Sequence, residues 1–228
     1  MKKLLLTACL PLTLLTCSLQ NQWSVDLQPT AAGQAPHADA NAALQALRDG
    51  NARFVMNRLE HPHLSAARRT EVAYGQHPFA MILSCADSRV PPEQVFDRGL
   101  GDLFVARVAG NVVSDEVLGT LEYGALHLQV PLIVVLGHER CGAVEAAVQG
   151  GELPGHTKSV AERIAPAVQE AKKHNPPDLV EESVRMNVKL VVEQLQKSQP
   201  VLAAMIQQGK VKVVGARCDL DTGVVDWL

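Results

Sequence analysis

Aromatic residues are scarce, at two Trp, two Tyr and four Phe or 4% of the chain. Basic and acidic residues nearly balance at 21 against 24. The chain therefore has neither the stacking platforms nor the positive field that hold nucleic acid, and no such partner is expected. Cysteine is also sparse, five in 228 residues, which excludes a fold built on a dense disulfide framework. No apolar run is long enough to cross a bilayer as a helix. There is no internal repeat. What is present, 47% hydrophobic and 20% charged residues, is the balance of one globular domain with a sizeable core.

The chain opens with Lys2 and Lys3 before an apolar run from Leu4 to Leu15, the pattern of an export signal over residues 1–18. A periplasmic or extracellular location is expected. Cleavage falls after Ser18, or before Cys17 if that cysteine carries lipid and tethers the protein to a membrane. Thr16 makes the second motif imperfect. Removing the signal deletes two lysines and no acid, which takes the net charge from −3 to −5. Residues 19–38 have no apolar period and read as a flexible arm. Cys9 and Cys17 lie in the signal, so Cys85, Cys141 and Cys218 remain. An odd set of thiols in an exported chain points to metal or chemistry rather than crosslinking.

From Asp39 the pattern becomes that of a folded domain, 39–228. Asp39 caps a helix carrying Leu44, Leu47, Phe54 and Val55, and a short helix follows near Ser65 to Tyr74. Continuous apolar runs at Phe79–Ser84, Leu103–Val108, Pro131–Leu136 and Val211–Ala216 read as strands buried on both faces. Helical stripes separate them: Ser114 caps one with Leu118, Leu121, Ala125 and Leu128, and Asp178 with Glu181 forms a capping box for another with Val184, Val188, Val191 and Leu195. The alternation predicts an α/β fold, with four parallel strands, helices on both faces, and an antiparallel edge strand returning after Asp221-Thr222-Gly223.

Two of the buried strands run into polar, reactive residues: Cys85-Ala86-Asp87-Ser88-Arg89 and Gly137-His138-Glu139-Arg140-Cys141-Gly142. In an open parallel sheet ligands collect beyond the carboxyl ends of strands, so both motifs are expected at one place. Cys85, His138 and Cys141 are then a three-ligand zinc set with the fourth tetrahedral position open, the mark of a catalytic site. Asp87 is close enough to reach the metal or its water, and Arg89 could hold that carboxylate in a bidentate pair. With Arg89 engaged, Asp87 stays off the metal; released, it could be a fourth ligand in a closed state. Gly142, at the start of a helix, leaves backbone N–H groups to face an anionic oxygen. Two thiolates cancel the charge of a divalent ion, so a bound water is less acidified than in a three-histidine site, where its pKa is about 7. Activity rising above neutral pH follows.

A redox disulfide between Cys85 and Cys141 is the competing reading, but it leaves His138, Asp87 and Arg89 without a role. Cys218 reads as a free thiol. His61, His63, His77, His156 and His174 read as solvated, and His127 as a residue on a helix flank.

Cys85-Ala86-Asp87-Ser88-Arg89-Val90, followed about fifty positions on by Gly137-His138-Glu139-Arg140-Cys141-Gly142, resembles the β-class carbonic anhydrases. Gly101-Asp102-Leu103-Phe104-Val105, Ala109-Gly110-Asn111 and Leu121-Glu122-Tyr123-Gly124 carry the likeness further, from about Leu44 to the end. The resemblance implies a zinc enzyme, one ion per subunit, interconverting carbon dioxide and bicarbonate. Cys85, His138 and Cys141 would be its ligands and Asp87 with Arg89 its gating dyad. It also implies an obligate homodimer, or a dimer of dimers. Gln76, Phe104 and Tyr123 match pocket positions of the plant-like branch, where part of the pocket comes from the other subunit. The other branch carries a Trp in its N-terminal helix for bicarbonate inhibition; this chain has Arg53-Phe54-Val55 there, so that inhibition is not expected. Two alternatives stay open: hydrolysis of carbon disulfide or carbonyl sulfide on the same scaffold, and a non-catalytic zinc- or bicarbonate-binding protein.

Overall fold

The computed structural model describes residues 39–228, so the export signal (1–18), the arm (19–38) and Cys17 lie outside the described residues. The elements run α1 (Ala40–Val55), α2 (Ala66–Val72), β1 (Ala80–Ser84), α3 (Pro92–Val95), β2 (Leu103–Arg107), a 3-10 turn (Ala109–Asn111), α4 (Asp115–Leu126) and β3 (Leu132–His138). Then come α5 (Gly142–Gln149), α6 (Thr157–Lys173), α7 (Leu179–Lys197), α8 (Leu202–Gln207), β4 (Lys212–Cys218) and β5 (Val225–Trp227).

The four apolar runs form the parallel part of one five-stranded sheet, ordered β2-β1-β3-β4-β5, with β5 antiparallel at the edge. Side chains alternate between two buried faces, as the pleat requires. Met81, Leu83, Ile133 and Val135 pack under Leu121 of α4, Val188, Val191 and Leu195 of α7, and Leu202 of α8. Ile82, Leu132, Val134 and Leu136 pack on the other face against Leu44 and Leu47 of α1 and Phe96. Each such side chain contributes about 1.5–3 kcal/mol by leaving water, so the centre of the sheet is its most stable part. The site residues follow directly from its strand ends. Gly137 lets α7 approach there: a Cβ on it would lie 2.6 Å from Val188 Cγ2.

The helix caps fall where the sequence places them. Asp39 accepts from Asn41 and Ala42 N–H, Ser65 from Arg68, Ser114 from Val117 and Asp178 from Glu181. The capping box at α7 is only half formed, because the Glu181 carboxylate turns to Arg185 and Arg217, each at 2.9 Å. Strand β3 runs two residues beyond Leu136, so His138 is the last residue of the strand itself. Leu128 lies past the end of α4. The sequence reading assigns no helix to 157–173, where α6 carries Pro166 in its middle and still buries Ile164, Ala167, Val168 and Ala171. No helix of the described residues is long and apolar enough to cross a membrane.

Candidate metal centre

Strands β1 and β3 are hydrogen-bonded neighbours, with Ser84 beside Leu136, so the residues that follow them emerge side by side. Cys85 comes directly after β1 and His138 ends β3. Arg140, with φ of 47°, then turns the chain so that Cys141 caps α5. The sulfurs of Cys85 and Cys141 lie 4.0 Å apart without a bond between them. Two sulfurs on a tetrahedral zinc would stand about 3.8 Å apart, given a Zn–S length of about 2.3 Å. The donor atoms of Cys85, His138 and Cys141 all lie within 4.8 Å of one another, and all three residues are buried.

The histidine is poised as a ligand. Its Nδ1 lies 2.8 Å from the carbonyl oxygen of Glu139, to which it donates, so the proton is fixed on that nitrogen. Nε2 is left buried with no hydrogen-bond partner, a lone pair aimed at the two sulfurs. An orphaned imidazole nitrogen beside two thiols fits a soft divalent cation.

Electrostatics favours the same reading. A hydrogen bond from the Cys141 thiol, opposed by burial, draws Cys85 down to about 4, while the Cys85 thiolate and burial together push Cys141 far up. Two adjacent thiolates need a cation before both can ionise. For His138, burial lowers the pKa but the negative charge of the neighbouring Cys85 outweighs this, and the net shift is upward. A backbone amide also faces one of the sulfurs: Gly110 N–H donates to Cys85 Sγ at 3.3 Å. Gly142 opens α5 directly after Cys141.

Arg89 grips Asp87 with both edges of its fork, Nε to Oδ1 at 2.9 Å and Nη2 to Oδ2 at 2.8 Å, and its own backbone N–H adds a third bond at 2.9 Å. That grip holds the carboxyl well below the usual carboxylate range. Asp87 Oδ2 stands 3.8 Å from His138 Nε2, facing the cluster but outside it. Arg107, which the sequence reading did not single out, donates to the carbonyl oxygens of Cys85 at 3.0 Å and Asp87 at 2.5 Å. Its signal was a basic residue closing an otherwise apolar strand.

The other predicted pocket residues do not join this cluster within one chain. Gln76 is exposed in a cleft of about 440 Å³ with Val72, Tyr74 and Gly101, ahead of β1 and so at the opposite end of the strand from Cys85. Phe104 lies along β2 beside Met81, its ring 6.0 Å from that of Tyr123, which is 45% exposed. Both flank the free edge of the sheet. His127, at the end of α4, packs against Tyr123 with the rings tilted and their centres 5.0 Å apart. Cys218 is buried and free, and His63 pairs with the buried Asp102 at 2.7 Å.

The family model described as carbonic anhydrase matches residues 80–225. Carbonic anhydrase 2 of Mycobacterium tuberculosis is 43% identical over 192 residues, which cover 82% of this chain and 92% of that protein. The chain belongs to the β-class carbonic anhydrases. It is an enzyme of that family, whose Mycolicibacterium smegmatis member is 41% identical over 84% of this chain and 94% of its own length. Among solved structures, the Coccomyxa β-carbonic anhydrase in complex with acetazolamide is 29% identical with a TM-score of 0.65, covering 84% of this chain and 86% of that one. One of two tetrameric β-carbonic anhydrases from Sordaria macrospora is 26% identical, also at 0.65, covering 82% of this chain and 97% of that one. The family match spans the donor cluster, Asp87, Arg89, Phe104 and Tyr123, and begins just after Gln76.

Proposed function

We propose that this chain is a zinc-dependent enzyme that reversibly hydrates carbon dioxide to bicarbonate and a proton. The observation that carries the reading is the buried, unpartnered Nε2 of His138 within 4.8 Å of two sulfurs that are themselves 4.0 Å apart. Cys85, His138 and Cys141 would hold the zinc, which when bound supplies Lewis acidity and makes a water nucleophilic above neutral pH. The chain does the rest. Asp87 Oδ2, kept ionised by Arg89, is an acceptor on the open side of the cluster and orients the proton-bearing nucleophile. The same grip by Arg89 keeps Asp87 from becoming a fourth ligand; its release would close the site.

We further propose a homodimer in which Gln76, Phe104 and Tyr123 of one subunit face the donor cluster of the other. Support comes from their position: Phe104 and Tyr123 are half-exposed beside the unpaired edge of β2, and Gln76 is exposed ahead of β1, at the far end of that strand from Cys85. Export from the cytoplasm, with or without lipid on Cys17, remains part of the proposal on the strength of the leader pattern; fractionation of cells and metabolic lipid labelling test it.

Stopped-flow hydration of carbon dioxide, run above neutral pH with and without chelator, tests the central reading. Rapid hydration that is lost with the metal and restored by zinc is expected. Zinc-loaded protein without hydration, or with turnover of carbon disulfide or carbonyl sulfide alone, would overturn it.

A further inference from the structure

Helix α7 turns the stripe Val184, Val188, Val191 and Leu195 toward the sheet, and two polar residues, Ser183 and Asn187, are buried with it. Asn187 is 3% exposed. A buried carboxamide is costly unless hydrogen-bonded. Its Nδ2 donates to the carbonyl oxygen of Gly110 at 2.9 Å, and Gly110 in turn donates its N–H to Cys85 Sγ at 3.3 Å. Gly110 has φ of +68°, and a Cβ there would lie 2.6 Å from Ile164 Cδ1 and 3.3 Å from Ala143 Cβ. Only glycine lets the backbone come this close. Glycine is also the least constrained residue, so something outside the turn must fix it.

The two sulfurs differ in this respect. Cys141 is the cap of α5, and the helix fixes its backbone directly, with Glu145 N–H donating to its carbonyl oxygen at 2.9 Å. Cys85 follows a strand, and its donor sits on a three-residue turn with a permissive centre. We infer that Asn187 is a positioning residue for the Cys85 thiolate: by anchoring the Gly110 carbonyl it keeps the Gly110 N–H on the sulfur. The inference rests on the zinc reading above. An N–H bonded to a thiolate lowers the energy of the sulfur lone pairs and fixes the side-chain rotamer. The ligand is thereby held in place and its electron donation to a metal is moderated.

The test uses metal substitution. In the wild-type chain loaded with NMR-active cadmium, the Gly110 amide is expected to show scalar coupling to the metal through the N–H···S bond. In the cobalt-loaded Asn187→Leu variant, the thiolate-to-metal charge-transfer band is expected to shift to lower energy, and zinc affinity in a chelator competition to fall about tenfold. Ser183→Ala is the control, since Ser183 is buried on the same helix with its hydroxyl unpartnered. Its band should not move, and an equal shift there would reduce the effect to helix packing and overturn the role. Metal uptake with no coupling at Gly110, or an unmoved band and unchanged affinity in Asn187→Leu, would overturn this inference alone. If Asn187→Leu fails to fold, the cadmium coupling in the wild type decides. A wild-type chain that takes up neither metal would instead defeat the zinc reading, and this inference with it.

Discussion

Arg107 Nε–H donates to the carbonyl oxygen of Cys85 at 3.0 Å, tying the edge strand β2 to the first residue beyond β1. The same guanidinium reaches the Asp87 carbonyl, so one side chain fixes both the sulfur-bearing residue and the residue two places on. Arg107→Met keeps most of the volume and removes these donors. Hydration is expected to fall on the order of tenfold with zinc content unchanged, because small misplacements of positioned groups cost that much or more. Wild-type turnover in a zinc-replete variant would remove Arg107 from the site.

Removing a ligand acts differently from loosening one. Cys141→Ala leaves Cys85 and His138, too few donors to retain zinc against chelation. Metal analysis after dialysis is expected to find no stoichiometric zinc, and hydration should vanish with it. Full zinc content in this variant would contradict the ligand set.

Asp87→Asn keeps the shape of the side chain and removes its charge. Asn can still accept hydrogen bonds through its one carbonyl oxygen, but it cannot take a proton or hold Arg89 as an ion pair. The expectation is retained zinc with hydration lowered by about a hundredfold, the low end of what a positioned acid–base group provides. An unchanged rate at saturating buffer would count against any role for Asp87 in turnover.

Much of this was legible in the sequence, and the exceptions have physical causes. The four strands stand out because a sheet covered on both faces needs apolar runs, and β1, β2, β3 and β4 supply them. The donor cluster was legible because parallel strands put their carboxyl ends together, whatever lies between them. Helix α6 was hidden because Pro166 breaks the expected pattern on its solvent side, where it costs little packing. Arg107 and the amide on the Cys85 sulfur were hidden for another reason. Their partners are backbone atoms, which carry no residue-type signal, and only the fold brings them within reach. The opposite outcome holds for Gln76: the resemblance named it, but its own chain carries it away from the cluster.

Asp97 offers a prediction about stability. Its carboxylate is 1% exposed and accepts from Arg53 Nε at 2.6 Å and from the backbone of Glu60 and His61 at 3.0 Å each, which pins the 57–63 loop to the core. Burial raises its pKa, but these donors outweigh it and the net shift is downward. A depressed carboxyl contributes stability above its unfolded pKa of about 3.9, and that contribution is lost as pH falls through the lower folded value. Asp97→Ala should cost about 3 kcal/mol at pH near 7, toward the low end for breaking a buried pair because Arg53 can partly rehydrate. Urea melts of both proteins should converge as the solution is acidified below about pH 4. A gap that stays constant with pH would show that the charge of Asp97 does not carry the effect.

The proposed dimer makes a prediction that no single variant can. Gln76→Ala should keep zinc and lose much of its turnover, and Cys141→Ala should lose both. If Gln76 serves its own chain's cluster, mixing the two variants restores nothing, because every cluster still lacks one or the other. If it serves the partner's cluster, a mixed dimer joins an intact donor set from the Gln76→Ala subunit with Gln76 from the Cys141→Ala subunit. Unfolding and reassembling equal amounts makes half the dimers mixed, each with one complete site. Activity should then recover to about a quarter of wild type, as expected for a two-fold assembly with random pairing. Recovery that follows subunit exchange, and is absent when intact homodimers are merely combined, would place the pocket across the interface. No recovery after verified exchange would return Gln76, and with it the β2 edge, to a role outside the reaction.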